Sequence, residues 1–122
     1  WRLAGAVHRH VNGMPNKFSE PDESVVAAAS SVLAPFLSTA PMTAMPVFSS
    51  GQTGLQAHDT YAAVGCADLI HTAGGGIFGH PNGVSAGVEA LRESWNAAMQ
   101  GVPLEIQAAQ KPSLAAALEF WR

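Results

Sequence analysis

The strongest pattern in the chain is an apolar stripe at helical spacing: Val84, Val88, Leu91, Trp95 and Met99 recur across Asn82 to Gln100, and Gly101 follows as a stop. A second helical stretch runs from Ser19 to about Leu33, with Val25, Ala29, Val32 and Phe36 on one face. Its start reads Ser19-Glu-Pro-Asp, a capping side chain, a first-turn proline and acids against the positive end of the helix dipole, and Pro35 closes it. A shorter helix is predicted over Gly54 to Val64, ended by Gly65 in a left-handed turn. A Pro103 to Ala109 segment leads to a last helix over Pro112 to Trp121. Between the helices lie strand-like apolar runs at Leu3 to His10, Thr43 to Phe48 and Asp68 to Ala73. Pro46 fits a strand end or an edge. The order strand, helix, strand, helix, strand, helix, helix predicts parallel α/β architecture.

Each strand-like run leads into a short loop: His10-Val-Asn-Gly-Met-Pro-Asn-Lys17, Ser49-Ser50-Gly51-Gln52 and Gly74-Gly75-Gly76-Ile-Phe-Gly-His80-Pro81. Ligands of parallel α/β folds bind at the C-terminal ends of the strands, so three such loops point to one site on that face. Their spacing is unequal, which separates this recurrence from a solenoid repeat, and no internal boundary divides the chain.

Composition narrows the picture. With 122 residues, 48% of them hydrophobic and 12% charged, the chain suits one compact core. Three parallel strands cannot close a barrel, and the chain starts at Trp1 next to the first strand, so the expectation is one domain, 1–122, from a larger protein. The net charge of -3 and the six scattered Lys and Arg give no footprint for nucleic acid or an anionic membrane. No apolar run nears the roughly 20 residues that span a bilayer, and Trp1-Arg-Leu-Ala-Gly lacks a signal-peptide layout, which makes the cytosol the expected compartment. Cys66 stands alone, ruling out an internal disulfide and a cysteine metal cage, and is expected to be a small buried apolar residue.

Chemistry concentrates in the three loops. Consecutive glycines such as Gly74-Gly75-Gly76 let backbone N–H groups approach a phosphate, and a following helix start adds its dipole; a tight turn that needs glycine would look the same. Ser49, Ser50 and Gly51 either complete such a cradle or form an ordinary turn. Lys17, beside the flexible Asn12-Gly13, either closes over an anionic substrate to stabilise an enolate or carboxylate oxygen or lies solvated on the surface. His8 and His10 share one side of a strand, but two histidines without a third ligand define no metal site; alternatively one packs in the core and the other sits at the strand mouth. His58 and His71 are weaker candidates, and His80-Pro81 reads as a support for the glycine loop. Asp22, Glu23, Glu89 and Glu93 fall at helix starts or on polar faces. No Ser-His-Asp set, nucleotide P-loop or carboxylate-rich magnesium motif is present.

Together, Arg2-Leu-Ala-Gly-Ala-Val-His-Arg-His10, the loop ending at Lys17, Pro46-Val-Phe-Ser-Ser-Gly51 and Gly74-Gly-Gly-Ile-Phe-Gly-His-Pro81 resemble, in order and approximate spacing, the last strands and loops of the RuBisCO large-subunit superfamily. The resemblance covers nearly the whole chain. It implies the C-terminal portion of a TIM (β/α)8 barrel, about strands six to eight with their helices. It also implies roles: His10 as a substrate-contacting histidine, Lys17 as the lysine of the mobile sixth loop, Ser49 near the substrate hydroxyls, and Gly51, Gly75 and Gly76 as backbone donors to a sugar phosphate. His8 matches a histidine beside the site.

The departures select a branch. True carboxylases read close to Ser-Gly-Thr-Val-Val-Gly-Lys in the sixth loop, whereas this chain has Val-Asn-Gly-Met-Pro-Asn-Lys. Their serine-glycine-glycine turn is Ser49-Ser50-Gly51 here, followed by Gln52 rather than an aliphatic residue. These strings resemble the non-carboxylating RuBisCO-like proteins, which enolise or isomerise phosphorylated ketoses, including methylthioribulose 1-phosphate in methionine salvage. The implied parent is a cytoplasmic isomerase or enolase and a homodimer or higher homo-oligomer, since the family's site borrows residues from a partner subunit. Its magnesium is held by a carbamylated lysine and two acids on earlier strands, so no metal ligand is expected in this chain and the isolated segment is expected to be inactive. A true carboxylase, a non-catalytic phospho-sugar-binding barrel and another phosphate-binding barrel are the competing readings.

Overall fold

The computed structural model describes residues 1–122. Three parallel strands, β1 (His8–Asn12), β2 (Met45–Ser49) and β3 (Ile70–His71), form one sheet in the order β1-β2-β3. Helix α1 (Asp22–Leu33) links the first two strands, and a 3₁₀ turn (Gly54–Gln56) runs into α2 (Ala57–Val64) before the third. After β3 come α3 (Gly74–Phe78), α4 (Val84–Gln100), α5 (Leu104–Ala108) and α6 (Pro112–Trp121). The predicted alternation and parallel sheet are therefore present. Gly65 and Gly101 take left-handed conformations that end α2 and α4 as their positions predict.

Several local expectations change. Arg2–Ala4 forms a 3₁₀ turn rather than the start of a strand: Gly5 is left-handed, and the Arg2 guanidinium donates to the carbonyls of Ser31 and Ala34 at the end of α1. Ser19 caps nothing. It adopts φ 57°, Pro21 occupies the N-cap, and the acids Asp22 and Glu23 fill the first turn of α1. Val25, Ala29 and Val32 are buried as predicted, but Phe36 lies beyond the helix and is exposed. The third strand shrinks to two residues, and Gly74 begins a helix instead of a loop. Cys66 is only half-buried.

Pro46 lies in the central strand. Met45 donates its N–H to Val7 on the β1 side, so the nitrogen of the next residue faces β3 below its first pair, Val47 with Ile70. No ladder bond is lost there.

The core between sheet and α1 consists of Val11, Met14, Val25, Ala29 and Phe48, with Phe48 and Val25 wholly buried. A second cluster, Leu104, Ala108, Leu114 and Leu118, joins α5 to α6. Burying a side chain such as Leu114 contributes about 1.5–3 kcal/mol.

The largest correction concerns α4, which ends at Gln100 as predicted and starts at Val84 rather than Asn82, but whose buried face is not the predicted one. Gly87, Ala90, Ser94, Ala97 and Ala98 face inward, while Val84, Val88 and Met99 are exposed and Leu91 and Trp95 half-buried. Close approach explains the choice. A Cβ at Gly87 would collide with the Ile77 backbone, and the Ser94 hydroxyl donates to the Gly54 carbonyl. Small residues let α4 lie directly on α3 and the 3₁₀ turn. No helix is long and apolar enough to cross a membrane.

Candidate active site

The parallel register sets Asn12 against Ser49, so β1 and β2 deliver their last residues side by side at one end of the sheet. Ser49 is buried there, and its Oγ lies 3.1 Å from Nδ1 of the exposed His10. Beyond Ser49 the chain turns sharply. Ser50 at φ 72° and Gly51 at φ 85° are consecutive left-handed residues, and for a serine this conformation costs about 1 kcal/mol or more. The strained serine has a use, since its Oγ donates to Asn12 Oδ1 at 2.8 Å.

Asn12 in turn donates to Glu20 Oε2 at 2.6 Å, and Glu20 also accepts from the Ser24 hydroxyl. These bonds, Ser24's first, hold the Glu20 carboxyl below its ordinary range. Asn12 is thus the end of a strand fixed on both sides of its carboxamide rather than part of a flexible loop.

The loop bearing Lys17 is docked on the second loop. Gly13 N–H donates to the Ser49 carbonyl at 2.7 Å and Lys17 N–H to that of Ser50 at 3.3 Å. Gln52 donates from Nε2 to the Pro15 carbonyl at 2.8 Å. Inside the loop, Asn16 Nδ2 donates to the carbonyls of Gly13 and Glu20, both at 3.1 Å, and its Oδ1 accepts the Phe18 N–H. The Lys17 side chain stays exposed, its Nζ 5.2 Å from the Phe18 ring centroid and free of any ion pair. A Cβ on Gly51 would sit 3.8 Å from that of Lys17, so the turn and the lysine are neighbours.

The glycine triplet is the first turn of α3, whose amides at Gly74, Gly75 and Gly76 have no acceptor within the helix. Gly74 and Gly75 face open space. Gly76 is buried, and a Cβ there would come within 2.7 Å of Thr53 Cα and 3.1 Å of the Gln52 carbonyl. The third loop therefore packs backbone to backbone on the second. Thr53 fixes the exit of that second loop through a reciprocal cap with Gln56.

Other candidates lie elsewhere. His8 sits at the opposite end of β1, lining a cleft with Val7, Met45 and Asp68, and neither it nor His10 is in the core. His80 is buried, accepts the Asn82 N–H and donates to the Ser113 carbonyl at 2.9 Å, tying the segment after α3 to α6. His71 accepts the Trp95 indole N–H at Nδ1, 3.0 Å away, which leaves Nε2 buried without a partner. Burial lowers its pKa to about 4, so it is neutral near pH 7. It lines a cleft of about 400 Å³ with Leu69, Leu91, Trp95 and Met99 on the flank of the sheet.

No group of three or more His, Cys, Asp or Glu side chains gathers where it could hold a metal ion. These residues do not fit a magnesium site. Sequence reasoning missed the bond between Asn12 and Glu20 and the one from Gln52 to Pro15. A signal existed, because Asn12, Ser50 and Gln52 stand where the chain departs from the carboxylase pattern.

Comparison with known proteins bears on this arrangement. Residues 1–121 match the family described as ribulose bisphosphate carboxylase large chain, catalytic domain. The chain is 69% identical over 122 residues to a 3-oxo-isoapionate-4-phosphate transcarboxylase/hydrolase of Xanthobacter autotrophicus, a match covering 100% of this chain and 30% of that protein. A 3-oxo-isoapionate-4-phosphate decarboxylase of Rhizobium etli is 44% identical over 119 residues, covering 97% of this chain and 28% of its own. The crystal structure of a rubisco-like protein from Burkholderia fungorum superimposes with a TM-score of 0.95 at 39% identity, over 98% of this chain and 30% of that one. The chain spans about 30% of the length of these relatives.

Proposed function

The chain belongs to the ribulose bisphosphate carboxylase large-chain family, and from that premise we propose that it is the C-terminal part, about strands six to eight, of a (β/α)8 barrel in a RuBisCO-like enzyme. The full-length enzyme acts on a phosphorylated keto compound and passes through an enolate. The observation that carries this is the meeting of the three loops: Lys17 beside Gly51, Ser49 against His10, and the glycine turn, whose amides have no acceptor within the helix, packed through Gly76 on the second loop.

The names of the relatives sharpen the substrate. A 3-oxo acid that loses or transfers its carboxyl group leaves an electron pair on the carbon next to a carbonyl, which is an enolate. Proton removal from a phosphorylated ketose leaves the same kind of anion. Both need a cation at the developing oxyanion and a grip on the phosphate. Lys17 supplies the positive charge from this chain, Ser49 and His10 orient the substrate hydroxyls, and the turn at Ser50-Gly51 with the amides of Gly75 and Gly76 holds the phosphate. At 69% identity to an enzyme of that name, a phosphorylated 3-oxo acid is the substrate class proposed. Enolisation of a phosphorylated ketose such as methylthioribulose 1-phosphate is the second reading, favoured by the His10-to-Phe18 string and Ser49-Ser-Gly-Gln52. Magnesium, if the parent uses it, is held by residues outside this chain, and the parent is a cytoplasmic homo-oligomer.

The test is to assay the full-length protein with phosphorylated 3-oxo acids for carbon dioxide release or carboxyl transfer, and with phosphorylated ketoses for exchange of the proton next to the carbonyl. Turnover of a 3-oxo acid phosphate is expected; turnover of neither class overturns the enzyme reading. The 122-residue chain alone is expected to show no exchange, lacking a metal site and the remaining strands.

A further inference from the structure

We propose that Gln52 is the positioning residue of the Lys17 loop, filling the space that Gly13 leaves open and holding the Pro15 carbonyl, and so fixing the loop that carries the lysine. The inference rests on the role given above to Lys17. Gln52 is 1% exposed, wedged between two loops that its own chain neighbours already join. Its Nε2 must face Pro15, because a carbonyl only accepts. A Cβ added at Gly13 would fall within the carboxamide of Gln52. Gly13 has no positive φ, so it is glycine for room and not for backbone conformation.

The fit has a cost that a purely structural residue would avoid. Gln52 Oε1 is buried without a hydrogen-bond partner, which weakens the fold, whereas an aliphatic side chain of similar size would fill the space at no such expense. What the carboxamide adds is a fixed point on the loop two residues before the lysine. With Gly13 N–H on Ser49, Ser50 Oγ on Asn12 and Lys17 N–H on Ser50, the loop is bound at its start, its middle and its end. A cation held in place before reaction avoids the reorganisation that a mobile one requires.

Two measurements on the full-length protein test this. In Gln52→Met and in Gly13→Ala, hydrogen exchange at the amides of residues 13–19 is expected to rise about tenfold or more while α4 amides keep their rates. Adding Gly13→Ala to Gln52→Ala should change loop exchange by less than about twofold, because the colliding side chain is gone. With the proposed substrate, Gln52→Met is expected to lower kcat about tenfold and leave KM within about twofold. Loop amides exchanging at the parental rate in both single variants overturn the proposal, as does equal acceleration in α4, which would mark general loosening. Unchanged kcat with a loosened loop overturns the positioning role. If the unsubstituted protein turns over no substrate, the reading of the site fails and the exchange measurement alone decides the clamp.

Discussion

Two regions of this molecule make close contacts possible through glycine, and they do so for different partners. At the loop end of the sheet, Gly13 makes room for the polar side chain of Gln52, which then bonds to the loop it packs against. In the helical layer, Gly87 makes room for the backbone of Ile77, and nothing there can swing aside. A side chain can yield and take its loop with it; a helix backbone yields only with the fold. Away from Gly76, which packs on the Thr53 backbone, the loop end is therefore where substitutions should alter function at little cost in stability, and the helical layer is where the reverse should hold.

The sharpest way to break that contrast is Lys17→Met. Losing the only cation of the three loops should lower kcat of the full-length enzyme about 10²–10³-fold, the loss seen when one oxyanion donor is removed. Because Lys17 is exposed and unpaired, the unfolding midpoint should stay where it was. A large stability loss would erase the difference between the regions.

His71, on β3 against Trp95 of α4, tests the packing of the helical layer through pH. Folded, it takes a proton only near pH 4; unfolded, it does so near its ordinary value of 6.5. Between these values the unfolded state binds the extra proton, so the stability from keeping His71 neutral is complete above 6.5, falls as the pH drops and levels off below 4. The whole effect is about 3 kcal/mol. In urea titrations from pH 7 to 4, His71→Asn should flatten this limb; an unchanged slope would mean that another group governs acid unfolding. Gly87→Ala comes next, destabilising by about 1–3 kcal/mol through collision with Ile77. Its kcat should change little at temperatures where it remains folded, and a selective loss of activity would count against the division drawn here.

The same two regions show how far the sequence could be read. Turn and cap residues located the ends of α4 and α6 and the order of elements, because Gly101 and Pro112 act locally. Periodicity then chose the wrong face of α4. Large apolar residues mark surfaces suited to burial, yet Val84, Val88 and Met99 lie exposed in this chain. Within the chain, the demand for close approach favours Gly87, Ala90 and Ser94, which carry little hydrophobic signal. At the loop end, the convergence of the three loops followed from strand order alone. The bonds from Ser50 to Asn12 and from Gln52 to Pro15 span 38 and 37 positions, and no local pattern encodes a partner at that distance. They surfaced in the sequence only as departures from a related pattern, without a reason attached.

The smallest expected effect separates two glycines of one turn. Gly75 faces open space in helical conformation, so a side chain there meets nothing and replaces a residue that weakens helices by about 0.5–1 kcal/mol. Gly75→Ala should leave stability equal or slightly higher and KM within about twofold. Gly75→Asp keeps that backbone benefit but sets a carboxylate beside the free amides of the turn. If those amides grip a phosphate, KM for the phosphorylated substrate should rise about tenfold, a penalty near 1.4 kcal/mol, with kcat nearly unchanged, since the interaction is equally present before and during reaction. Gly76→Ala provides the contrast within the same turn: its Cβ meets Thr53 at 2.7 Å, so it should lower stability as well as affinity. An unmoved KM in Gly75→Asp would remove the third loop from the phosphate grip and leave the site resting on the clamped pair alone.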